Sequence, residues 1–345
     1  CSTLPVFMEK TEILMQWIRS QEIVMDEKQT LVSLENVSVA FGKERSVAVT
    51  DKVSFDIKKG EFFALVGESG CGKSVTAMSI LKLLPEPGAK ISSGKVFFEG
   101  KNLLELSSKE LKLIRGKKIA CIFQEAMAAL NPVLSIRKQL EEAKLKEDSP
   151  ERILELMRFA GFSDPERVLN SYPHELSGGM LQRICIVMAL LPRPSLLIAD
   201  EPTTALDVTV QAQVMELLNK LSKELGTAVL LITHNMGLVA QYASRVAVMY
   251  AGRIVECGFA EEVIKNPMHP YTKGLLAALP DGKKSLKDLQ SIPGNVPAPI
   301  DFVEGCRFCD RCFNAKPCCK DFPPLYEKEN HWTRCFFPVH LSENS

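Results

Sequence analysis

Apolar positions along the chain fall into distinct kinds of run. Leu31-Val32-Ser33-Leu34 and Val37-Ser38-Val39-Ala40-Phe41 are β-prone, and Val53-Ser54-Phe55-Asp56-Ile57 alternates with period two. That pattern predicts strands with one face on a core. Phe62-Phe63-Ala64-Leu65-Val66, Lys118–Gln124, Leu196–Ala199 and Val229–Thr233 are mainly apolar without alternation, as expected of parallel strands buried on both faces. Residues from about 136 to 171 are charged and helix-prone, as in Ile153-Leu154-Glu155-Leu156-Met157. They predict an insertion outside the sheet. Val246–Tyr250 and Gly252–Glu256 close with a hairpin-like pattern. Ile13, Leu14, Trp17 and Ile18 recur at helical spacing, so residues 1–28 are expected to be a tail with an amphipathic helix. Glu9, Lys10 and Glu12 interrupt what a signal peptide's apolar region would need.

A chain of 345 residues should hold a main domain and a smaller one. Lys+Arg and Asp+Glu both count 42, so no global basic field recruits nucleic acid. No run of about 18 apolar residues is present, and nothing in the sequence reads as a membrane span.

The richest chemistry lies in Gly67-Glu68-Ser69-Gly70-Cys71-Gly72-Lys73-Ser74. It fits G-x-x-x-x-G-K-[ST] at every fixed position, after a buried strand and before the helix-compatible Val75–Leu81. Strand, glycine loop and helix together aim backbone N–H groups and a helix dipole at a polyphosphate. Lys73 is placed to pair with the terminal phosphates and Ser74 to sit on Mg²⁺. Ser177-Gly178-Gly179 precedes a second long helical run, a second anion site of the same physical kind. Asp200-Glu201 ends one apolar strand, which suits a metal-associated carboxylate beside a general base. Gln124 ends another, where ligands meet α/β sheets, and His234 a further one, a lone His that by itself reads more often as a structural residue than as a catalytic one. Phe41 is a candidate for stacking on a nucleobase, with a place in the core as the alternative.

These residues resemble, in order, the motifs of an ABC transporter's nucleotide-binding subunit. Gly67–Ser74 resembles the Walker A loop, Gln124 the Q-loop, and Leu176–Met180 the signature. Leu196–Asp200 with Glu201 resembles Walker B, Ala205-Leu206-Asp207 the D-loop and His234 the H-loop. The resemblance spans roughly residues 31–335. It implies an α/β P-loop NTPase (RecA-like) ABC domain at 29–257, a helical insertion at about 125–180 and a small Cys-rich C-terminal domain at 258–345. It further implies that Gly67, Ser69, Gly70, Cys71, Gly72, Lys73, Ser74 and Val75 wrap the phosphates of ATP, while Phe41 stacks on adenine. Ser74, Gln124 and Asp200 would attend Mg²⁺. Glu201, His234, Gln124 and Lys73 would be the catalytic set. Ser177, Gly178 and Gly179 would complete the site of the opposite subunit in a head-to-tail dimer.

Ile122–Met127 with Leu130-Asn131-Pro132, Met180, His269-Pro270-Tyr271-Thr272, Ile292–Pro297 and Gly305–Phe308 narrow the resemblance to the oligopeptide/dipeptide permease branch. Leu181 stands where that branch carries a basic residue. The branch implies import of peptides, with oligosaccharides or nickel as alternatives and a soluble non-transport ABC ATPase as a remote one. Implied partners are a second ABC ATPase subunit (a paralogue or itself), two membrane permease subunits and an extracytoplasmic solute-binding protein. Nucleic acid is not among them. The implied location is the cytoplasmic face of the cell membrane.

Six of the eleven cysteines fall between Cys306 and Cys335. Such density reads as metal ligation by thiolates, which admit zinc or iron–sulfur, with free thiols as the remaining alternative. By resemblance, Cys306, Cys312, Cys319 and Cys335 align with ligands of a [4Fe-4S] cluster. Cys306-x2-Cys309-x2-Cys312 also has ferredoxin-like spacing. Cys309-Asp310-Arg311 stands where the branch has His-Pro-Arg. The expectation is a cluster that staples a small domain, with redox sensing as the alternative role.

Overall fold

A computed structural model describes residues 29–42, 46–85, 88–124, 129–204, 206–279 and 292–339. The amphipathic segment expected within 1–28, Glu125–Met127 and Ala205 lie outside the described residues.

Strands β1 (Thr30–Phe41) and β2 (Val47–Lys58) pair antiparallel. The two β-prone runs of the first thus form one strand, whose register shifts between Leu34 and Val37. Alternation in β2 puts Val53, Phe55 and Ile57 inward. β3 (Phe62–Val66) is buried at every position and leads through the glycine loop into helix α1 (Lys73–Ile80). β4 (Ala89–Phe98) and β5 (Lys101–Asn102) complete a four-stranded sheet of order β2-β1-β4-β5.

Helix α2 (Ser108–Ile114) follows, opened by a reciprocal cap between Ser107 and Glu110. β6 (Ile119–Ile122) is shorter than the apolar run suggested. Phe123 and Gln124 emerge beyond it, exposed. The insertion holds α3 (Ile136–Ala143), α4 (Glu151–Phe159) and α5 (Pro165–Asn170), and then α6 (Gly178–Leu190) begins. β7 (Leu196–Asp200) and α7 (Val208–Leu225) come next, then β8 (Ala228–Thr233) and α8 (Met236–Tyr242). β9 (Arg245–Tyr250) and β10 (Arg253–Phe259) form the expected hairpin. α9 (Ala260–Lys265), α10 (Pro270–Ala277), β11 (Leu325–Lys328) and β12 (His331–Arg334) complete the elements.

The central sheet runs β11-β12-β10-β9-β3-β8-β7-β6. β3 lies between β9 and β8, parallel to both, and β7 and β6 continue in parallel. The apolar runs without alternation are therefore interior strands. One core packs β1, β2 and α1 on one face of this sheet, while another packs the insertion, α6 and α7 on the other. A third joins β9 to α8, α10 and Phe308.

The C-terminal hairpin extends the central sheet, with Glu256 opposite Thr333 and Cys257 opposite Trp332. Buried Glu256 fixes this docking: it accepts hydrogen bonds from the backbone N–H of Met268 (2.7 Å) and His269 (2.9 Å). Its Oε1 also lies 2.7 Å from His331 Nε2. A buried carboxylate is tolerated because these partners replace its water.

Candidate functional site

The site assembles at the C-terminal ends of β3, β7 and β8, side by side in the sheet. After Val66 the chain turns through Gly67, where a Cβ would sit 2.2 Å from the carbonyl oxygen of Met249. Only glycine allows that approach. Gly72, with φ 104°, then caps α1 in a left-handed conformation. Lys73 folds back under the loop and donates to the carbonyls of Gly67 (2.8 Å) and Glu68 (3.0 Å). Cys71 is buried, and burial pushes its thiol up; it packs below the loop. Ser69, Gly70 and Ser74 are exposed at its mouth and Val75 is half-buried. The loop thus offers a lysine and helix N–H groups to an anion.

Ser74 Oγ donates to Asp200 Oδ1 at 3.1 Å. Burial holds the Asp200 carboxyl above its ordinary range, against the Ser74 hydrogen bond. A cation beside it would offset the same desolvation, so Ser74 and Asp200 fit a divalent ion.

Glu201 follows with φ 46°, in the left-handed region that non-glycine residues rarely adopt. Its N–H donates to the Ile232 carbonyl (3.0 Å), so β8 holds the strained residue in place. Thr204 Oγ1 donates to Glu201 Oε2 (2.9 Å), and Oε1 lies 3.2 Å from His234 Nδ1. Burial opposes ionisation of Glu201. The hydrogen bonds from His234 and Thr204, with the positive fields of His234 and Lys73, outweigh it and hold the carboxyl below its ordinary range. Adjacent carboxyls Asp200 and Glu201 are thus pushed in opposite directions, a common sign of divided roles. Thr204 was not singled out from sequence; its only signal is its place three residues after Glu201.

The structure brings together the loop, Asp200, Glu201 and His234. It places Ser177–Gly179 elsewhere. Ser177 Oγ caps α6 by accepting from the Met180 N–H (3.4 Å). Gly179 abuts α7, where a Cβ would meet Val210 at 2.7 Å. Asp207 caps α7 through the Val210 N–H (2.9 Å). Leu181, 1% exposed, lies in the core beneath the insertion, which explains an apolar residue there. Phe41 packs half-buried against the core at the end of β1.

The expectation of a [4Fe-4S] cluster or zinc at Cys306, Cys312, Cys319 and Cys335 is overturned. Among the described residues, no group of three or more His, Cys, Asp or Glu side chains is arranged to hold a metal ion. The cysteines line a cavity with Phe308, Phe336 and Phe337, but its volume is ≈ 10 Å³, room for about one water. All four are free thiols. Burial pushes Cys306 up to about 11 and Cys335 to about 12. Cys306 and Cys312 pack against the third core instead, as small apolar fillers do.

Residues 50–204 match the family model for ABC transporters, and residues 255–319 that for the oligopeptide/dipeptide transporter C-terminal region. The chain is 44% identical over 326 residues to the dipeptide transport ATP-binding protein DppD of Bacillus subtilis (strain 168), covering 92% of this chain and 97% of that protein. This chain belongs to the ATP-binding subunits of ABC transporters. It is also 47% identical over 292 residues to a probable peptide ABC transporter ATP-binding protein of Sinorhizobium fredii, with 83% and 87% covered. Among solved structures, the ATP-binding cassette MJ0796, dimeric in a post-hydrolysis state with ADP and Pi, superposes with a TM-score of 0.58 at 31% identity. That match covers 67% of this chain and 99% of the other. The RecA-like ABC fold, with its helical insertion and a distinct C-terminal region, is thereby established, as is ATPase activity coupled to transport. Among the described residues, no helix of this ABC subunit is long and apolar enough to cross a membrane.

Proposed function

We propose that this subunit hydrolyses ATP to drive peptide import in a dimer that holds two ATP molecules, each between one subunit's Walker A loop and the signature of the other. The observation that carries the chemistry is the convergence of Lys73, Ser74, Asp200, Glu201 and His234 at the ends of three adjacent strands. Support for the dimer comes from the Ser177–Gly179 segment, whose Gly179 abuts Val210 of α7, lying with the other core from the loop. It comes also from the dimeric state of the similar cassette. Support for peptides comes from the C-terminal match and the peptide transporters among the relatives.

Lys73 leaves the loop carbonyls for the terminal phosphates, and the loop N–H groups and Val75 close around them. Phe41 stacks on the base. Mg²⁺, when bound, supplies the positive charge that neutralises the transferred phosphoryl group. Ser74, Asp200 and Gln124 would hold it. Glu201, kept ionised, aligns the attacking water and accepts its proton, while His234 holds the carboxylate and meets the γ-phosphate. The opposing Ser177 caps the same phosphate. Gln124, exposed beyond β6, carries the nucleotide state toward permease subunits at the cytoplasmic face of the membrane. A paralogous or identical ATPase subunit and an external solute-binding protein complete the assembly.

Reconstituting the chain with its permease subunits and binding protein in vesicles tests this. ATP-dependent peptide accumulation is expected, together with hydrolysis stimulated by loaded binding protein. Stimulation by a sugar or nickel alone would reassign the substrate.

A further inference from the structure

Glu68, the second residue of the phosphate loop, is an acidic side chain in a loop built to hold an anion. Each of its polar groups is held. Its N–H donates to Tyr271 Oη (2.9 Å) at the start of α10. Its carbonyl accepts from Lys73 Nζ (3.0 Å) and from the Cys71 N–H (3.3 Å). Its carboxylate is gripped by both arms of Arg311: Nη1 to Oε2 at 2.8 Å and Nη2 to Oε1 at 2.9 Å.

The guanidinium spends every donor. Nε donates to the Pro293 carbonyl (2.8 Å), Nη1 also to Tyr250 Oη (3.3 Å), and Nη2 also to the Gly294 carbonyl (3.2 Å). That is the full complement of five N–H groups in a fixed fork. The Arg311 side chain is 6% exposed and that of Glu68 30%, so this is a partly buried, two-pronged ion pair, less screened than a surface one. The guanidinium lies 5.7 Å from the ring centre of Tyr250, which packs edge to face against Tyr271 and Phe308. Arg311 and Tyr271 belong to the region after β10, which Glu256 and His331 fasten to the sheet.

We propose that Arg311, with Tyr271, is a positioning residue for the phosphate loop: it neutralises Glu68, turns it from the incoming polyphosphate and makes ATP affinity depend on docking of the C-terminal region. The inference rests on the phosphate loop taking ATP, as proposed above. An uncompensated carboxylate beside the phosphates repels them. At the effective dielectric of a protein surface, one such charge is worth about tenfold or more in affinity.

The test measures ATP affinity of the full chain, and KM and kcat of the assembled transporter. R311M is expected to weaken ATP binding about tenfold and to raise KM with kcat near parental. R311K, which keeps the charge without the fork, should fall between. E68Q/R311M should regain most of the affinity, because the offending charge is gone; a contact that merely stitches two segments together would not be rescued by losing its second half. Parental affinity in R311M, or an E68Q/R311M chain as weak as R311M, overturns the proposal. Should R311M fail to fold, E68Q/R311M against the parent still decides, since weak binding there contradicts the charge argument. A parent chain that binds no ATP would overturn the loop assignment itself.

Discussion

Glu201 Oε1 and His234 Nδ1 lie 3.2 Å apart across the ends of β7 and β8. The contact sets the protonation of the carboxylate. Burial alone would raise Glu201, and the hydrogen bonds from His234 and Thr204 reverse that. A carboxyl held below its ordinary range loses its charge only at low pH. In His234→Ala two of the lowering influences vanish, so the group protonates at higher pH. The acidic limb of the pH–kcat/KM profile should therefore move upward relative to the parent, beyond any general loss of rate. An unmoved limb would show that His234 does not tune Glu201.

Glu201→Gln tests the base directly. The amide preserves shape and can still meet Thr204, but it accepts no proton. ATP binding should be kept while turnover falls by about 10²–10⁴, the usual share of general-base catalysis. Parental turnover in the assembled transporter would remove Glu201 from that role.

Most of this site was legible in the chain. Gly67–Ser74, Asp200, Glu201 and His234 each end a buried apolar run, and local pattern predicts such strand ends well. Arg311 was not legible as a partner of the loop. It stands 243 positions from Glu68, and no local pattern announces a pairing at that separation. The same holds for β12, whose place beside β10 depends on the buried bonds of Glu256. The cysteine density and the resemblance misled for a related reason: they propose ligands, but convergence of the ligands is tertiary. Here Phe308, Phe336 and Phe337 share the cavity.

His269 reports on the same docking through pH. It is buried, caps α10 by accepting from the Tyr271 N–H (3.0 Å), and is lowered to about 4, chiefly by burial and against the field of Glu256. The unfolded chain, with an ordinary histidine near 6.5, binds more protons between those values. Stability is therefore full above about pH 6.5 and is lost as pH falls toward 4, by roughly 3 kcal/mol from this group. His269→Asn keeps a capping acceptor without the titration. Its melting temperature should fall less than the parent's between pH 7.5 and pH 5; an identical fall would exclude His269 as the source.

The central claim is that ATP is hydrolysed between two subunits, each giving a Walker A loop to one nucleotide and a signature to the other. The direct measurement is the mass and nucleotide content of Glu201→Gln chain incubated with ATP, alone and with its paralogous ATPase subunit. The account predicts a dimer holding two ATP molecules. Adding Ser177→Arg should return it to monomers that still bind ATP, because Ser177 acts only on the opposite site. ATP-loaded chains that stay monomeric with either partner, or a Ser177→Arg monomer that loses ATP, would contradict it.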